Sequence, residues 1–178
     1  ADMVPDISIL DPTIPAKMPP HVTVHTGMDV LTHAIEAYVS TAANSFTDPY
    51  AVEAIRLVFK HLETAWRSPD DLNARMHMHN ASALAGIAFT NASLGLVHSM
   101  AHKIGGEFGI THGLANAIML PYIIQYNAKF TKKYRQLEAA LGVDNLIAAI
   151  NALNQRLGVP KPLSQCDEGE INDGSFVN

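Results

Sequence analysis

A single cysteine, Cys166, stands among the 178 residues, beside a single tryptophan. One thiol cannot close an internal disulfide, so a disulfide-stapled scaffold is excluded and a reducing cytoplasm is the expected setting. Charge is also sparse, at 16% of residues with a net charge of -5. No basic block is present to neutralise phosphates, so nucleic acid is not an expected partner. Unbroken apolar runs are short. The most apolar stretch, 81–100, is interrupted by Ser82, Thr90, Asn91, Ser93 and His98. It falls short of the roughly 18 apolar residues that a spanning helix needs, so no membrane partner is expected and the stretch reads as a buried helix of a soluble protein. The N-terminus lacks a charged segment leading into an apolar core, so no signal peptide is read there. Glycines do not form a phosphate-binding loop either, because Gly105-Gly106 follows no strand.

What is present is a hydrophobic share of 48%, ample for one domain with a sizeable core. The first twenty residues are set apart by prolines. Within them, Val4 to Pro12 alternates weakly and suits one short strand, Ile7 to Leu10, with a turn after it. A strand without a partner belongs to a sheet outside this chain, or pairs with a second copy, which would favour a homo-oligomer. From Thr26 on, helix signals dominate. Thr26 is placed to cap a helix to about Ser40, and Thr47-Asp48-Pro49 to open one to about Arg67. In the latter Val52, Ile55, Val58, Phe59 and Leu62 recur at helical spacing. Ser68-Pro69-Asp70-Asp71 starts a helix reaching the late eighties, and 93–103 forms another, ended by Gly105-Gly106. A further helix begins near His112 and must bend or stop at Pro121. Thr131 to Leu141 and Asp144 to Leu157 form an antiparallel helical pair, stopped by Gly142 and Gly158. The tail, 164–178, is polar and acidic and receives no structure. The fold class is all-α: a helical bundle, 21–163, with one orphan N-terminal strand in 1–20.

Three patterns carry chemistry. Asp29 and His33 lie four residues apart, about 40° of helical rotation, so carboxylate and imidazole share one face. His98 and His102 repeat that spacing in unusually apolar surroundings, where a buried imidazole needs a hydrogen bond or a metal. His112 follows a glycine-rich segment, Gly105-Gly106 and Gly109, flexible enough to bring it back towards the earlier pair. His21 and His25, His61, His77 and His79 read as ordinary surface or singly bonded side chains. Imidazole and carboxylate suit Fe, Zn, Cu or Ni, while the lack of thiolate argues against a structural zinc knuckle. Spacing alone does not separate His98 from His102 as a ligand. It also leaves open a metal-dependent hydrolase, or a helical scaffold whose histidines fill polar niches.

Wording around these residues is more specific than spacing. Gly27-Met-Asp-Val-Leu-Thr-His-Ala-Ile-Glu-Ala-Tyr38 resembles the first signature of the iron-containing (group III) alcohol dehydrogenases. Gly95-Leu-Val-His-Ser-Met-Ala-His-Lys-Ile-Gly105, through His112-Gly-Leu-Ala-Asn-Ala117, resembles the second. Ala85-Gly-Ile-Ala-Phe-Thr-Asn-Ala92 looks like the helix that lines that family's pocket. The resemblance spans about 5–164. It implies the C-terminal helical domain of a two-domain, dehydroquinate synthase-like fold, whose α/β domain for NAD or NADP is missing here, so that the chain is a fragment expected to be inactive alone. It implies metal ligands at Asp29, His33, His98 and His112, an additional active-site histidine at His102, and a pocket wall at Phe89. The implied activity interconverts a primary alcohol and an aldehyde by hydride transfer, with Fe²⁺ as cofactor and zinc possible as purified. A zinc-using glycerol or polyol dehydrogenase of the same superfamily is the alternative.

Overall fold

The computed structural model describes residues 7–161. They form a short 3₁₀ turn, Pro15–Lys17, and seven α-helices: α1 (Pro20–Val39), α2 (Asp48–Arg67), α3 (Leu72–Ala92), α4 (Leu96–Phe108), α5 (His112–Asn127), α6 (Lys133–Leu141) and α7 (Leu146–Arg156). The all-α expectation holds. The orphan strand does not appear: Ile7 to Leu10 is irregular, with Ile7 and Ile9 exposed. An isolated strand has no ladder partner to satisfy its amides, and no strand occurs among the described residues. Val4 to Asp6 and the 164–178 tail lie outside them.

α1 is the axis of the bundle. It carries buried side chains on nearly every side, from Thr23 and Val24 to Ala37 and Tyr38, as a helix wrapped by others must. It packs against α2, α3 and α5, and more lightly against α4 and α6. It also begins earlier than the expected Thr26. Pro20 opens it, since proline's fixed φ and missing N–H suit the first turn. Thr26 is not its cap: the hydroxyl donates to the Val22 carbonyl at 2.8 Å within the helix.

α2 is amphipathic as expected, burying Ala51, Ala54, Ile55, Val58 and Leu62, with Val52 and Phe59 partly covered. Thr47, however, bonds back to Asn44 instead of capping the helix. Asp71 does cap α3, accepting from the Ala74 amide at 2.9 Å, and Asn145 caps α7 likewise. α3 runs on to Ala92, and α4 leaves it at 106°, through a turn in which Ser93 takes φ 67°. Gly105-Gly106 does not end α4. The helix passes through both and stops at Gly109, in the left-handed conformation.

Pro121 neither ends nor breaks α5, which continues to Asn127. A proline removes the bond that would satisfy the carbonyl four residues earlier, here that of Ala117. Asn154 of α7 supplies the missing donor, Nδ2 to that oxygen, at 2.9 Å. α7 leans on α5, α6 leans on α1 and α2, and the expected helical pair meet only lightly. No single helix among the described residues is long and apolar enough to cross a membrane.

The crossing of α1 and α5 positions the site. A Cβ on Gly113 would stand 2.1 Å from the main-chain oxygen of His25. Only glycine admits so close an approach, and it brings the first turn of α5 down onto α1.

Candidate metal centre

Asp29, His33 and Glu36 fall on one stripe of α1, since steps of three and four residues return to the same face. The starts of α4 and α5 arrive opposite that stripe, carrying His98 and His112. One ligand-type atom from each of Asp29, His33 and His98 lies within 4.8 Å of the others. His98 Nε2 is 3.3 Å from Asp29 Oδ1, and His33 Nδ1 is 3.7 Å from Asp29 Oδ2. His112 joins through the same carboxylate, with Nε2 3.4 Å from Asp29 Oδ1. The structure therefore brings Asp29, His33 and His98 together, with His112 beside them through the shared carboxylate. Side-chain exposure grades from 3% at His98 to 36% at His112, so the group has a buried floor and an open mouth.

The other two expected site residues flank it. The His102 ring stacks on that of His112, with centroids 4.8 Å apart, on the exposed side. Phe89 stacks on His33 with centroids 4.6 Å apart, forming an apolar wall. The remaining histidines stay outside. His25 shares a hydrogen bond with Thr111, and His61 and His77 stack on each other between α2 and α3.

Two residues of the site were not singled out in the sequence. Glu36 is buried, and one of its oxygens, Oε2, lies 2.7 Å from His98 Nδ1. Asn116 is fully buried; its Nδ2 donates to Asp29 Oδ1 at 2.6 Å and lies 3.0 Å from His112 Nε2. A second acid, beside Asp29, on a helix otherwise buried all round was a signal for Glu36, because carboxylates are rarely buried unpaired. Both also lie inside the quoted signature segments.

The electrostatics suit a cation. Burial pushes the carboxyl of Asp29 up, but His98, His33, His112 and Asn116 outweigh it and hold it below its usual range. Glu36 is likewise raised by burial and lowered further by His98 and the Gly95 and Val97 amides. Burial depresses His33 and His112, leaving them neutral with lone pairs to give. Burial depresses His98 too, yet Asp29 and Glu36 prevail and lift it to about 9. Without an ion that imidazole holds a second proton, and metal uptake displaces it.

The donor set fits a divalent ion on a further observation. His98 Nε2 is buried without a hydrogen-bond partner, while the other ring nitrogen faces the Glu36 carboxylate. Once Nε2 gives up its proton, its lone pair lies between Asp29 and His33 as a ligand position. Two ionised carboxylates close by supply the charge that a divalent cation offsets.

Known proteins of one family resemble this chain over most of its length. A model of the C-terminal region of the Fe-containing alcohol dehydrogenase family matches residues 23–173. The chain is 49% identical over 166 residues to the 1-propanol dehydrogenase PduQ of Salmonella typhimurium, covering 89% of this chain and 45% of that protein. It is 45% identical to the NADPH-dependent butanol dehydrogenase of Clostridium saccharobutylicum, covering 99% of this chain and 47% of that protein. Among solved structures, an iron-containing alcohol dehydrogenase from Thermococcus thioreducens superposes with a TM-score of 0.84 at 41% identity, over 96% of this chain and 44% of that one. The chain thus spans somewhat under half the length of these relatives.

Proposed function

The chain belongs to the Fe-containing alcohol dehydrogenase family, and from that premise we propose that it is the metal-holding part of an enzyme interconverting a primary alcohol and an aldehyde. One observation carries the reading: the convergence of Asp29, His33 and His98 with the buried, unpartnered Nε2 of His98. Asp29, His33, His98 and His112 are the ligands in this reading, with Fe²⁺ as the working ion and Zn²⁺ able to replace it. When bound, the ion supplies Lewis acidity.

The chain's own side chains do the rest. His98 and Asp29 close the floor, so substrate approaches from the His112 side, where the group opens to solvent. Phe89, stacked on His33, offers the apolar body of a small alcohol a surface beside the ligands. His102, exposed beside His112, is placed to exchange the hydroxyl proton with solvent. The hydride carrier is a nicotinamide dinucleotide. The described residues do not fit it, since they contain no strand leading through a glycine loop into a helix.

Calorimetry of this 178-residue chain with Zn²⁺ or anaerobic Fe²⁺ tests the reading. One ion per chain is expected, with affinity falling in Asp29→Asn and His98→Ala by more than the roughly 10- to 100-fold typical of an outer-sphere partner. Uptake that is indifferent to both substitutions would defeat the ligand assignment. Absence of alcohol-dependent NAD(P)H formation by a longer, metal-loaded protein containing the chain would defeat the activity.

A further inference from the structure

Glu36 is 4% exposed and sits one turn beyond His33 on α1. Four donors converge on its carboxylate. The Val97 amide donates to Oε1 at 2.6 Å, the Gly95 amide to Oε2 at 2.9 Å, and the His98 amide reaches Oε2 at 3.4 Å. The fourth is the His98 ring, Nδ1 to Oε2, at 2.7 Å. The first three belong to the start of α4, whose N-cap position is Gly95, with no side chain to satisfy them. A carboxylate from another helix serves as the cap, favoured by the positive end of the α4 dipole. Gly95 makes room for it: a Cβ there would lie 2.8 Å from Oε1.

The fourth contact has a chemical consequence. An ionised carboxylate only accepts hydrogen bonds, so the ring nitrogen facing it must carry the proton. With Nδ1 protonated, the lone pair of the neutral ring is on Nε2, on the side of Asp29 and His33. We propose that Glu36 is a positioning residue that sets the tautomer and tilt of His98, and through them the metal affinity, while fastening the start of α4 to α1. The proposal rests on the reading of His98 as a ligand.

Glu36→Gln separates this role from simple capping. The amide has one oxygen, which can keep the Val97 contact, but its NH₂ then faces Nδ1. The ring answers by offering Nδ1 as acceptor and moving its proton to Nε2, where it obstructs the ion. The 178-residue variant should keep its helical circular dichroism, yet bind Zn²⁺ about 10- to 100-fold more weakly than wild type. Gly95→Ala touches no ligand but crowds Oε1, and should weaken binding in the same direction. Nitrogen-15 NMR of the zinc-loaded wild-type chain should place the single His98 ring proton on Nδ1, an observation that needs no variant. A proton on Nε2 instead, or equal Zn²⁺ affinity in wild type and Glu36→Gln, overturns the role of Glu36 and leaves the metal centre standing. A wild-type chain that takes up no zinc overturns the metal centre, and the proposal with it.

Discussion

Gly113→Ala is a one-methyl perturbation with two readable consequences. The added carbon would stand 2.1 Å from the His25 oxygen and 2.5 Å from its carbonyl carbon. Both are main-chain atoms of the buried α1, so no rotamer change relieves the clash. Ordinary contact begins at roughly 3.5 Å, so α1 and α5 must part by more than about 1 Å. Overpacking of this kind costs about 1–3 kcal/mol, and rigid backbone on both sides puts this case at the upper end. The same displacement opens the metal group, because Asp29 lies on α1 while His112 and Asn116 lie on α5. The Asn116–Asp29 bond, 2.6 Å long, would stretch past hydrogen-bonding distance, and His112 would retreat from the shared carboxylate. Urea denaturation should therefore show a lowered midpoint, and calorimetry a Zn²⁺ affinity reduced about 10- to 100-fold, as for loss of an outer-shell partner. Gly106→Ala is the control. It lies within α4 with nothing within 4 Å of the added carbon, and should be neutral or stabilising by up to about 1 kcal/mol. A Gly113→Ala chain as stable as wild type, with unchanged zinc binding, would refute the close crossing and the account of the site built on it.

Asn154→Leu should cost about 1–3 kcal/mol in the same denaturation assay, because the Ala117 carbonyl opposite Pro121 then has no donor. A melt unmoved by that change would show that the proline's orphaned oxygen finds another partner. His102→Gln should leave Zn²⁺ affinity intact while slowing alcohol oxidation by a metal-loaded, longer protein about 10²- to 10⁴-fold. Loss of metal instead of rate would make His102 a ligand. The metal-free chain should be most stable near neutrality, and the signs follow from the imidazoles. Burial, then His21, depresses His25 to about 4, and burial also lowers His33 and His112, so stability is lost as pH falls below their ordinary value of 6.5. His98, held up to about 9 by Asp29 and Glu36 against burial, contributes stability that is complete below 6.5 and is lost as pH rises through about 9. Zinc should remove that alkaline decline by replacing the proton, and melting temperatures that climb through pH 9 without metal would contradict it.

Local periodicity was enough to determine the helical class, the amphipathic face of α2, the start signal at Asp71, and the pairing of Asp29 with His33. Each depends on residues within a turn or so of one another, and helical geometry is the same wherever the chain goes. Local signals misled in two places. Gly105-Gly106 looked like a stop but is carried through α4 to Gly109. Pro121 looked like a break until Asn154 supplied a donor to the Ala117 carbonyl, 37 residues away. The separation of His98 from His102 is of the same kind. Both share one helix at equivalent spacing, and only Glu36 and Asp29, more than sixty residues earlier, decide which ring turns inward. Glu36 and Asn116 escaped notice for that reason: a buried acid or amide declares its purpose through its partners, and these stand 62 and 87 residues off. Sequence alone determined which side chains each helix presents, because that is set by a fixed rotation per residue. Tertiary structure alone decided which of them meet, because that depends on how closely α1, α4 and α5 approach, and a single hydrogen atom at Gly113 sets the closest of those approaches.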